Sequence, residues 1–330
     1  MTFPLLLDGY FAMPLAAAFG VALDRLLGEF RRFHPLVGFG NLAASIERWL
    51  NPQQAHTKRR QIAAGWLGWS LVVLPFVALA WAVRPLAPFV VDVLLLYFAL
   101  GAQSLCEHAE AIARPLQRGD LAEARQRVGW IVSRNTSALD ESGVAKAGVE
   151  SLLENGNDAI FATLFWFALL GGPGAVLFRL ANTLDAMWGY RTTRYNLYGR
   201  FAARFDDALN WLPARLTALT YALLGQTRMA LNCWRTQAPG WDSPNAGPVM
   251  AAGAGSLGVQ CGGAAIYHGQ EEIRPPLGCG PAPVAADLAR AIALVRRSLW
   301  LWLVGLWLIA SLNHFLHPWV QSFLTGLPHA

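Results

Sequence analysis

Long runs without charged residues recur along the chain and form its clearest pattern. Residues Ile62–Val83 and Ser298–Leu316 carry no charged side chain, and Leu86–Leu105 carries only Asp92. Each run is close to the roughly 20 residues that a helix needs to cross a hydrocarbon core of about 30 Å. The pattern therefore predicts membrane-spanning helices near residues 62–83, 86–105 and 298–316.

A shorter apolar run near the N-terminus predicts a fourth span. Residues Gly9–Leu23 are uncharged, and the apolar residues before Asp8 extend the predicted span to residues 3–23. A cleaved secretory signal is the alternative reading of such a segment. No basic segment precedes the run and no cleavage site is evident before Asp24, so we favour the span.

Two further apolar segments are interrupted. The segment near 159–181 is broken by Gly171-Gly172-Pro173-Gly174, and the 12 residues before the break would form only about 18 Å of helix. We therefore predict a broken or re-entrant helix there, with both ends on one side. Irregular backbone at membrane depth needs surrounding protein or a polar cavity, which predicts a site beside it. The segment near 209–224, interrupted by Pro213 and Arg215, is predicted to be shallow or interfacial.

Composition agrees with a membrane protein. The 330 residues are 55% hydrophobic and 14% charged, whereas soluble domains carry about 25% charged residues. Strand signals are few. The sequence thus predicts an all-α integral membrane protein, a polytopic helical bundle forming one domain over residues 1–330. Its broken or re-entrant helices would lie next to a site on the cytoplasmic face.

The distribution of basic residues predicts the orientation. The segment Asp24–Gln61 holds seven Arg or Lys against three acidic residues, which places it in the cytoplasm together with Cys106–Asp158. The net charge of +5 arises mostly beside the spans, so we expect no nucleic-acid partner. The four cysteines form no C-x-x-C pair, which argues against a zinc site or a disulfide framework.

An acidic cluster precedes the broken segment. Glu150, Glu154 and Asp158 recur every four residues and so share one face of a helix that begins near Asp140-Glu141. Three like charges on one face repel unless a cation neutralises them. Mg²⁺, held by carboxylates and phosphate oxygens, is one explanation, and a solvated helix face is the other.

Further polar residues follow the broken segment. Asn182 and Asp185 end an apolar run, where ionisable groups are functional candidates. Tyr190, Arg191 and Arg194 come next. The two arginines, three residues apart, suit a phosphate or carboxylate, or else anchor the chain at lipid headgroups.

Three more features are candidates for chemistry. Asp206 and Asp207 form a second acidic pair that either holds a cation or pairs with Arg204. Asn245 begins a glycine-rich region whose backbone N–H groups can approach an anion. His34 lies just beyond the first predicted span. No phosphate-binding loop, G-x-S-x-G or H-E-x-x-H motif is present in the sequence.

Taken in order, these clusters resemble the family of adenosylcobinamide-phosphate synthases, membrane enzymes of cobalamin assembly. The resemblance covers nearly the whole chain and rests on an ordered series of short motifs. The motifs are Asp24 to Gly28, His34-Pro35, Arg134-Asn135-Thr136, Leu139-Asp140-Glu141, Val149-Glu150-Ser151, Glu154-Asn155, Asn182-Thr183-Leu184-Asp185, Gly189-Tyr190-Arg191, Asp206-Asp207, Ser243-Pro244-Asn245-Ala246-Gly247 and Arg274-Pro275-Pro276-Leu277-Gly278.

The resemblance implies a ligase. Such an enzyme forms an amide between aminopropanol phosphate and a propionate carboxylate of adenosylcobyric acid, a corrinoid substrate, with ATP and Mg²⁺. It implies a multi-pass protein of the bacterial inner (cytoplasmic) membrane that contacts membrane lipid. Other late cobalamin-assembly enzymes and a second copy of the chain are further expected partners.

The expected roles divide into three sets. The metal set is Glu150, Glu154, Asp158, Asp206 and Asp207. The catalytic set, which would take the proton from the amine, is His34 and Asp185. The substrate-binding set is Arg134, Asn182, Tyr190, Arg191, Arg194 and Asn245.

Two other functions stay open from the sequence. One is a non-catalytic regulatory membrane protein related to the family associated with β-lactamase induction. The other is a transporter, which the lack of a detectable inverted repeat and the uncharged spans disfavour.

Overall fold

The computed structural model describes residues 9–29, 35–51, 57–267 and 270–325. Helices dominate these residues, as predicted, and one β-hairpin accompanies them. The helices are α1 (Ala12–Leu27), α2 (Pro35–Leu50), α3 (Lys58–Val83), α4 (Pro88–Ala99), α5 (Ala102–Gln117), α6 (Leu121–Val128), α7 (Glu141–Gly156), α8 (Ala162–Leu170), α9 (Gly172–Trp188), α10 (Arg200–Leu224), α11 (Thr227–Gln237), α12 (Ala246–Leu257) and α13 (Ala285–Thr325). The strands are β1 (Gln260–Tyr267) and β2 (Gln270–Gly278).

Three helical runs are long and apolar enough to cross a membrane: Lys58–Leu86, Pro88–Gln117 and Ala285–His317. They contain or largely cover the predicted spans at 62–83, 86–105 and 298–316. The second run bends where Leu100 adopts an extended conformation between α4 and α5. The predicted span at 3–23 begins outside the described residues, and its described part consists of a turn at residues 9–11 and the beginning of α1.

The broken segment near 159–181 forms a helical hairpin. The 12 residues before the break do not form a separate short helix, which corrects the prediction, because a π-helical turn at Asn157–Phe161 joins α7 directly to α8. Gly171, with φ +69°, makes the turn into α9. At the hairpin tip, the Gly172 N–H donates to Asp92 Oδ1 at 2.9 Å, beside the Arg84–Asp92 ion pair. The tip therefore lies level with the turn between α3 and α4.

The other end of α9 lies near the beginning of α3. Trp188 packs edge-on against Tyr198 at 5.1 Å between ring centroids, and both rings are buried. A Cβ on Gly65 would lie 1.8 Å from the Tyr198 carbonyl oxygen, so only glycine permits this approach. Both ends of the hairpin therefore face the side of the bundle where α3 begins.

Pro213 does not interrupt the segment near 209–224, and that part of the prediction was wrong. Helix α10 runs without a break from Arg200 to Leu224. A proline inside a helix leaves the carbonyl four residues earlier without its usual donor. Here the Leu209 carbonyl accepts a hydrogen bond from Trp166 Nε1 at 3.0 Å instead. The neighbouring helix thus supplies the donor that Pro213 lacks.

The glycine-rich region is not a loop. Its first part forms α12, where a Cβ on Gly253 would lie 2.7 Å from the Leu153 side chain, so the missing side chain lets α12 pack closely against α7. Its second part forms the antiparallel pair β1–β2, with an irregularity between Gly262 and Gly263. This hairpin brings Arg274 of β2 towards α7.

Candidate functional site

A group of carboxylates and carboxamides forms where α7, α9 and α10 meet. We call it the carboxylate–amide cluster; it consists of Asp158, Asp206, Asn157, Asn182 and Asn210. Asn157 Nδ2 donates to Asp158 Oδ1 at 3.0 Å and to Asn210 Oδ1 at 2.8 Å. Asp206 accepts from Asn210 at 3.1 Å and from Asn182 at 3.4 Å. The amides connect two carboxylates contributed by different helices.

The π-helical turn positions Asn157 and Asp158 in this cluster. Such turns hold an extra residue and often occur at functional sites. Thr217 of α10 fixes the Asn157 orientation by donating to its Oδ1 at 2.9 Å. The turn therefore presents adjacent polar side chains to α10, which an uninterrupted α-helix would direct differently.

Burial and mutual repulsion disfavour the charged forms of these acids. Burial raises the pKa of Asp158, although hydrogen bonds from the neighbouring amides oppose the shift. Burial, and then the charges of Asp158 and Asp185, raise the pKa of Asp206 well above its usual range. Burial, with the charges of Asp158 and Asp207, raises the pKa of Asp185 to about 6. A bound cation would relieve the repulsion.

An open cavity of about 650 Å³ lies beside this cluster. We call it the arginine-lined cavity, because Arg191, Arg200 and Arg204 line it together with Asp185 and Asp207. Tyr190 and the segment Asp242–Pro244 complete part of its wall. The cavity thus presents fixed positive charge and carboxylates to the same space.

Arg191, one of the arginines of this cavity, is only weakly paired. Arg191 lies 3.7 Å from Asp242, and both side chains are more than four-fifths exposed. Exposed ion pairs of this kind contribute about 0–1 kcal/mol. Arg191 is therefore available to an anionic ligand.

A second charged group surrounds Glu150. Its two carboxylate oxygens accept from Arg134 at 2.9 Å, from Arg274 at 3.1 and 3.2 Å, and from the Gly262 N–H at 2.7 Å. Glu150 is 4% exposed. We call these residues the Glu150 cluster. The backbone N–H of the glycine-rich region does approach an anion, and that anion is Glu150.

Glu154 lies one turn beyond Glu150, at the wall of a cavity of about 290 Å³. Burial, and then the charges of Asp158 and Glu150, raise the pKa of Glu154 to about 7, while Arg274 opposes the shift. Trp241 lines this Glu154 cavity, whereas the next residues, Asp242–Pro244, line the arginine-lined cavity. The segment 241–244 therefore contributes to both cavities.

The structure distributes the predicted site residues over several places. Asp185, Tyr190, Arg191 and Asp207 line the arginine-lined cavity. Asp158, Asn182 and Asp206 belong to the carboxylate–amide cluster, and Arg134, Glu150 and Glu154 line the Glu154 cavity. Asn245 donates to the Asp207 carbonyl at 2.9 Å and accepts from Arg215 at 3.1 Å. His34 lies outside the described residues.

Three predicted residues, Arg194, Glu150 and Arg134, are engaged in ion pairs within the protein. Arg194 makes a bidentate ion pair with buried Glu47, at 3.0 and 2.6 Å, and does not line the arginine-lined cavity. Glu150 is fully occupied by its two arginines and Gly262. The sequence pattern did not distinguish Arg194 from Arg191, because the partner Glu47 is far away in the chain.

Sequence reasoning missed Asn157 and Arg200. Asn157 gains its position from the π-helical turn, which leaves no recognisable pattern in the sequence. Arg200 begins α10 directly after Gly199, where a Cβ would lie 1.7 Å from the Trp188 carbonyl oxygen. That close approach brings the start of α10 against the end of α9.

The donors of the carboxylate–amide cluster fit Mg²⁺ in kind. They are oxygens of carboxylates and amides, the ligands that this hard cation takes. Within the described ranges, no three Asp, Glu, His or Cys side chains are grouped closely enough to form a ready-made metal cage. Mg²⁺ commonly binds through one or two carboxylates, with substrate phosphates and water completing its shell. The cluster suits that second mode.

Comparison with known proteins gives a consistent answer. Residues 17–295 match the family described as CobD/Cbib protein. The chain belongs to this family. Cobalamin biosynthesis protein CobD of Chromobacterium violaceum is 60% identical over 284 residues, covering 85% of this chain and 91% of the relative. The protein of the same name from Stutzerimonas stutzeri is 57% identical over 294 residues, covering 87% of this chain and 96% of the relative.

More distant members agree. The protein of that name from Mycobacterium tuberculosis strain H37Rv is 38% identical over 287 residues, covering 84% of this chain and 89% of the relative. No solved structure matches the chain. Family membership assigns the chain to cobalamin biosynthesis, as the sequence motifs implied.

Proposed function

We propose that the protein is an ATP-dependent ligase that joins aminopropanol phosphate to a propionate carboxylate of adenosylcobyric acid. The product is adenosylcobinamide phosphate. The observation that carries this proposal is the arginine-lined cavity, where three arginines and three aspartates face the same space. A small molecule with a phosphate at one end and an ammonium group at the other needs both kinds of charge close together.

In this proposal the arginines bind the phosphate of the amine substrate. Arg191, Arg200 and Arg204 offer several N–H donors, and charge-assisted hydrogen bonds to phosphate are among the strongest in proteins. Arg194 and Arg134 are left out of this role, because Arg194 is paired with Glu47 and Arg134 with Glu150.

Asp185 is the proposed proton acceptor. An ammonium group has no lone pair and cannot attack a carbonyl carbon until it loses a proton. Asp185 lines the same cavity as the arginines, and its pKa of about 6 keeps it ionised at neutral pH while making it a better base than an exposed aspartate. His34 stays a prediction from the sequence alone.

The propionate carboxylate must also be activated. We propose that a propionate oxygen attacks the γ-phosphorus of ATP, giving an acyl phosphate and releasing ADP. The amine nitrogen then attacks the carbonyl carbon, and the C–O bond to phosphate breaks as the amide forms. The protein's contribution is to position the reactants and neutralise developing charge.

Asp158 and Asp206 are the residues proposed to hold Mg²⁺. When bound with nucleotide, this ion supplies positive charge to the phosphoryl oxygens. Asn157, Asn182 and Asn210 keep the two carboxylates in place. Glu150 is given a different role from the one that the sequence suggested, since it neutralises Arg134 and Arg274.

The test is amide formation by the full chain in detergent, with adenosylcobyric acid, aminopropanol phosphate, ATP and Mg²⁺. We expect adenosylcobinamide phosphate and ADP in equal amounts, and neither product when Mg²⁺ is chelated. Asp206→Asn should abolish both, whereas Asp120→Asn, which changes an exposed helix cap on α6, should retain them. Absence of amide product from the intact protein with all substrates would contradict the proposal and favour a regulatory role.

A further inference from the structure

A groove between α5 and α13 takes no part in the site described above. Arg114 of α5 and Arg296 and Arg297 of α13 line it, and Trp300 follows one turn later. Its volume is about 490 Å³. Both helices belong to runs that are long and apolar enough to cross a membrane. The groove therefore places basic side chains next to membrane-spanning helices.

The groove carries excess positive charge. Glu110 accepts from Arg114 and from Arg296, each at 3.0 Å, so one carboxylate serves two guanidinium groups. Arg297 is exposed and makes no ion pair within the described part of the chain. These groups leave the groove attractive to an anion.

An apolar cavity continues from the groove. Arg296 and Trp300 line both spaces. The second cavity, of about 200 Å³, is lined mainly by apolar side chains of α1 and α13, among them Val21, Leu299 and Leu303. Along α13, Arg296 and Arg297 are followed by the indole ring of Trp300 and then by uncharged residues. This order matches headgroup, interface and acyl chain of a bilayer.

We propose that the groove between α5 and α13 binds an anionic phospholipid. The lipid phosphate contacts Arg114, Arg296 and Arg297, and an acyl chain enters the apolar cavity beside α1. Basic pockets between membrane helices are suited to anionic headgroups. Free phosphate has the same chemistry for the arginines, but nothing in it fills the apolar cavity. The proposal is independent of the ligase reaction.

Quenching of tryptophan fluorescence by brominated lipids tests this site in the full chain. The protein in mixed micelles is titrated with brominated phosphatidylglycerol or with brominated phosphatidylcholine. Comparison with Trp300→Phe isolates the Trp300 signal. We expect the anionic lipid to quench Trp300 at a clearly lower mole fraction than the zwitterionic lipid.

Arginine variants then measure the selectivity. Arg297→Gln removes a side chain that makes no ion pair, so the variant should keep the fold. It should weaken binding of the anionic lipid about fivefold. The Arg296→Gln, Arg297→Gln double variant should weaken it about 25-fold. Arg235→Gln, an exposed arginine on α11, is the matched control and should behave like the unmodified chain.

Three outcomes would overturn the proposal. One is equal quenching of Trp300 by both lipids, and another is unchanged selectivity in Arg297→Gln. The third uses inorganic phosphate, added in place of chloride at equal ionic strength. If phosphate removed the selectivity of Trp300 quenching for the anionic lipid while chloride did not, the acyl chain would add nothing to binding at the arginines, which would then form a free-phosphate site instead of a lipid site.

Discussion

The segment Trp241–Pro244 lies beside both the Glu150 cluster and the arginine-lined cavity. These two neighbouring places nevertheless arrange charge in opposite ways. Around Glu150, each carboxylate oxygen is in contact with a guanidinium group or a backbone N–H, and the Glu150 side chain is buried. In the arginine-lined cavity, arginines and aspartates share a wall, and Arg191 pairs only weakly with Asp242. Charges already neutralised by the protein stabilise it, whereas charges left open can bind a ligand.

Removal of Glu150 tests the stabilising side of this comparison and should have the largest effect. Glu150→Ala removes the carboxylate that pairs with buried Arg134 and half-buried Arg274, and breaking a buried ion pair costs about 3–5 kcal/mol. We expect a large fall in the thermal unfolding midpoint of the purified protein. Arg118→Gln, which breaks an exposed pair with Glu123, should change it little. Equal stability of Glu150→Ala and wild type would remove the structural role.

Replacement of Asp185 tests the proposed function of the arginine-lined cavity. Asp185→Asn preserves size but cannot accept the ammonium proton, and loss of a general base lowers rates by about 100-fold or more. The unfolding midpoint should not fall, because neutralising a half-buried carboxylate beside other acids relieves repulsion. The measurement is the turnover number for amide formation alongside thermal unfolding. Normal turnover in a folded variant would exclude Asp185 as the base.

Arg191 and Arg194 provide a matched pair, three residues apart in the chain. Arg191→Gln should raise the KM for aminopropanol phosphate about 10- to 100-fold, because a charge-assisted contact contributes about 1.5–3 kcal/mol. Its KM for the corrinoid, and its use of unphosphorylated aminopropanol, should change much less. Arg194→Gln should instead lower stability, since buried Glu47 loses its cationic partner. Equal effects of Arg191→Gln on both amines would exclude Arg191 from phosphate binding.

The same pair illustrates what the sequence can and cannot predict. Uncharged runs identify the membrane helices because hydrocarbon thickness fixes their length, and Asp140 caps α7 as its position suggested. Whether an arginine binds a ligand depends on partners far away in the chain. Arg194 is paired with Glu47, which lies 147 positions earlier in the chain, and the local spacing of residues does not predict that contact.

The acidic face of α7 shows a second limit. Its four-residue period correctly placed Glu150 and Glu154 on neighbouring turns, but three-dimensional packing gave them different surroundings. Arg274 reaches Glu150 from a hairpin 124 positions later, and Asp158 lies in the π-helical turn, which changes the helical register there. Periodicity predicts which side chains share a face, whereas the partners of that face decide the chemistry.

Glu154 lines a cavity next to the Glu150 cluster but does not line the arginine-lined cavity. Its titration should change the stability of the protein, and this is the smallest of the expected effects. Burial raises its pKa from 4.5 to about 7, so the folded chain binds this proton more tightly than the unfolded chain does. The stability that the neutral form of Glu154 contributes is therefore lost as the pH rises from 4.5 to about 7.

Glutamine cannot ionise, so Glu154→Gln should be on the order of 1–2 kcal/mol more stable than wild type at pH 8. At pH 5 the two should be nearly equal. Thermal unfolding at both pH values measures the difference, with Glu272→Gln on exposed β2 as the control. A stability difference that did not depend on pH would show that Glu154 is not held in its neutral form by its surroundings.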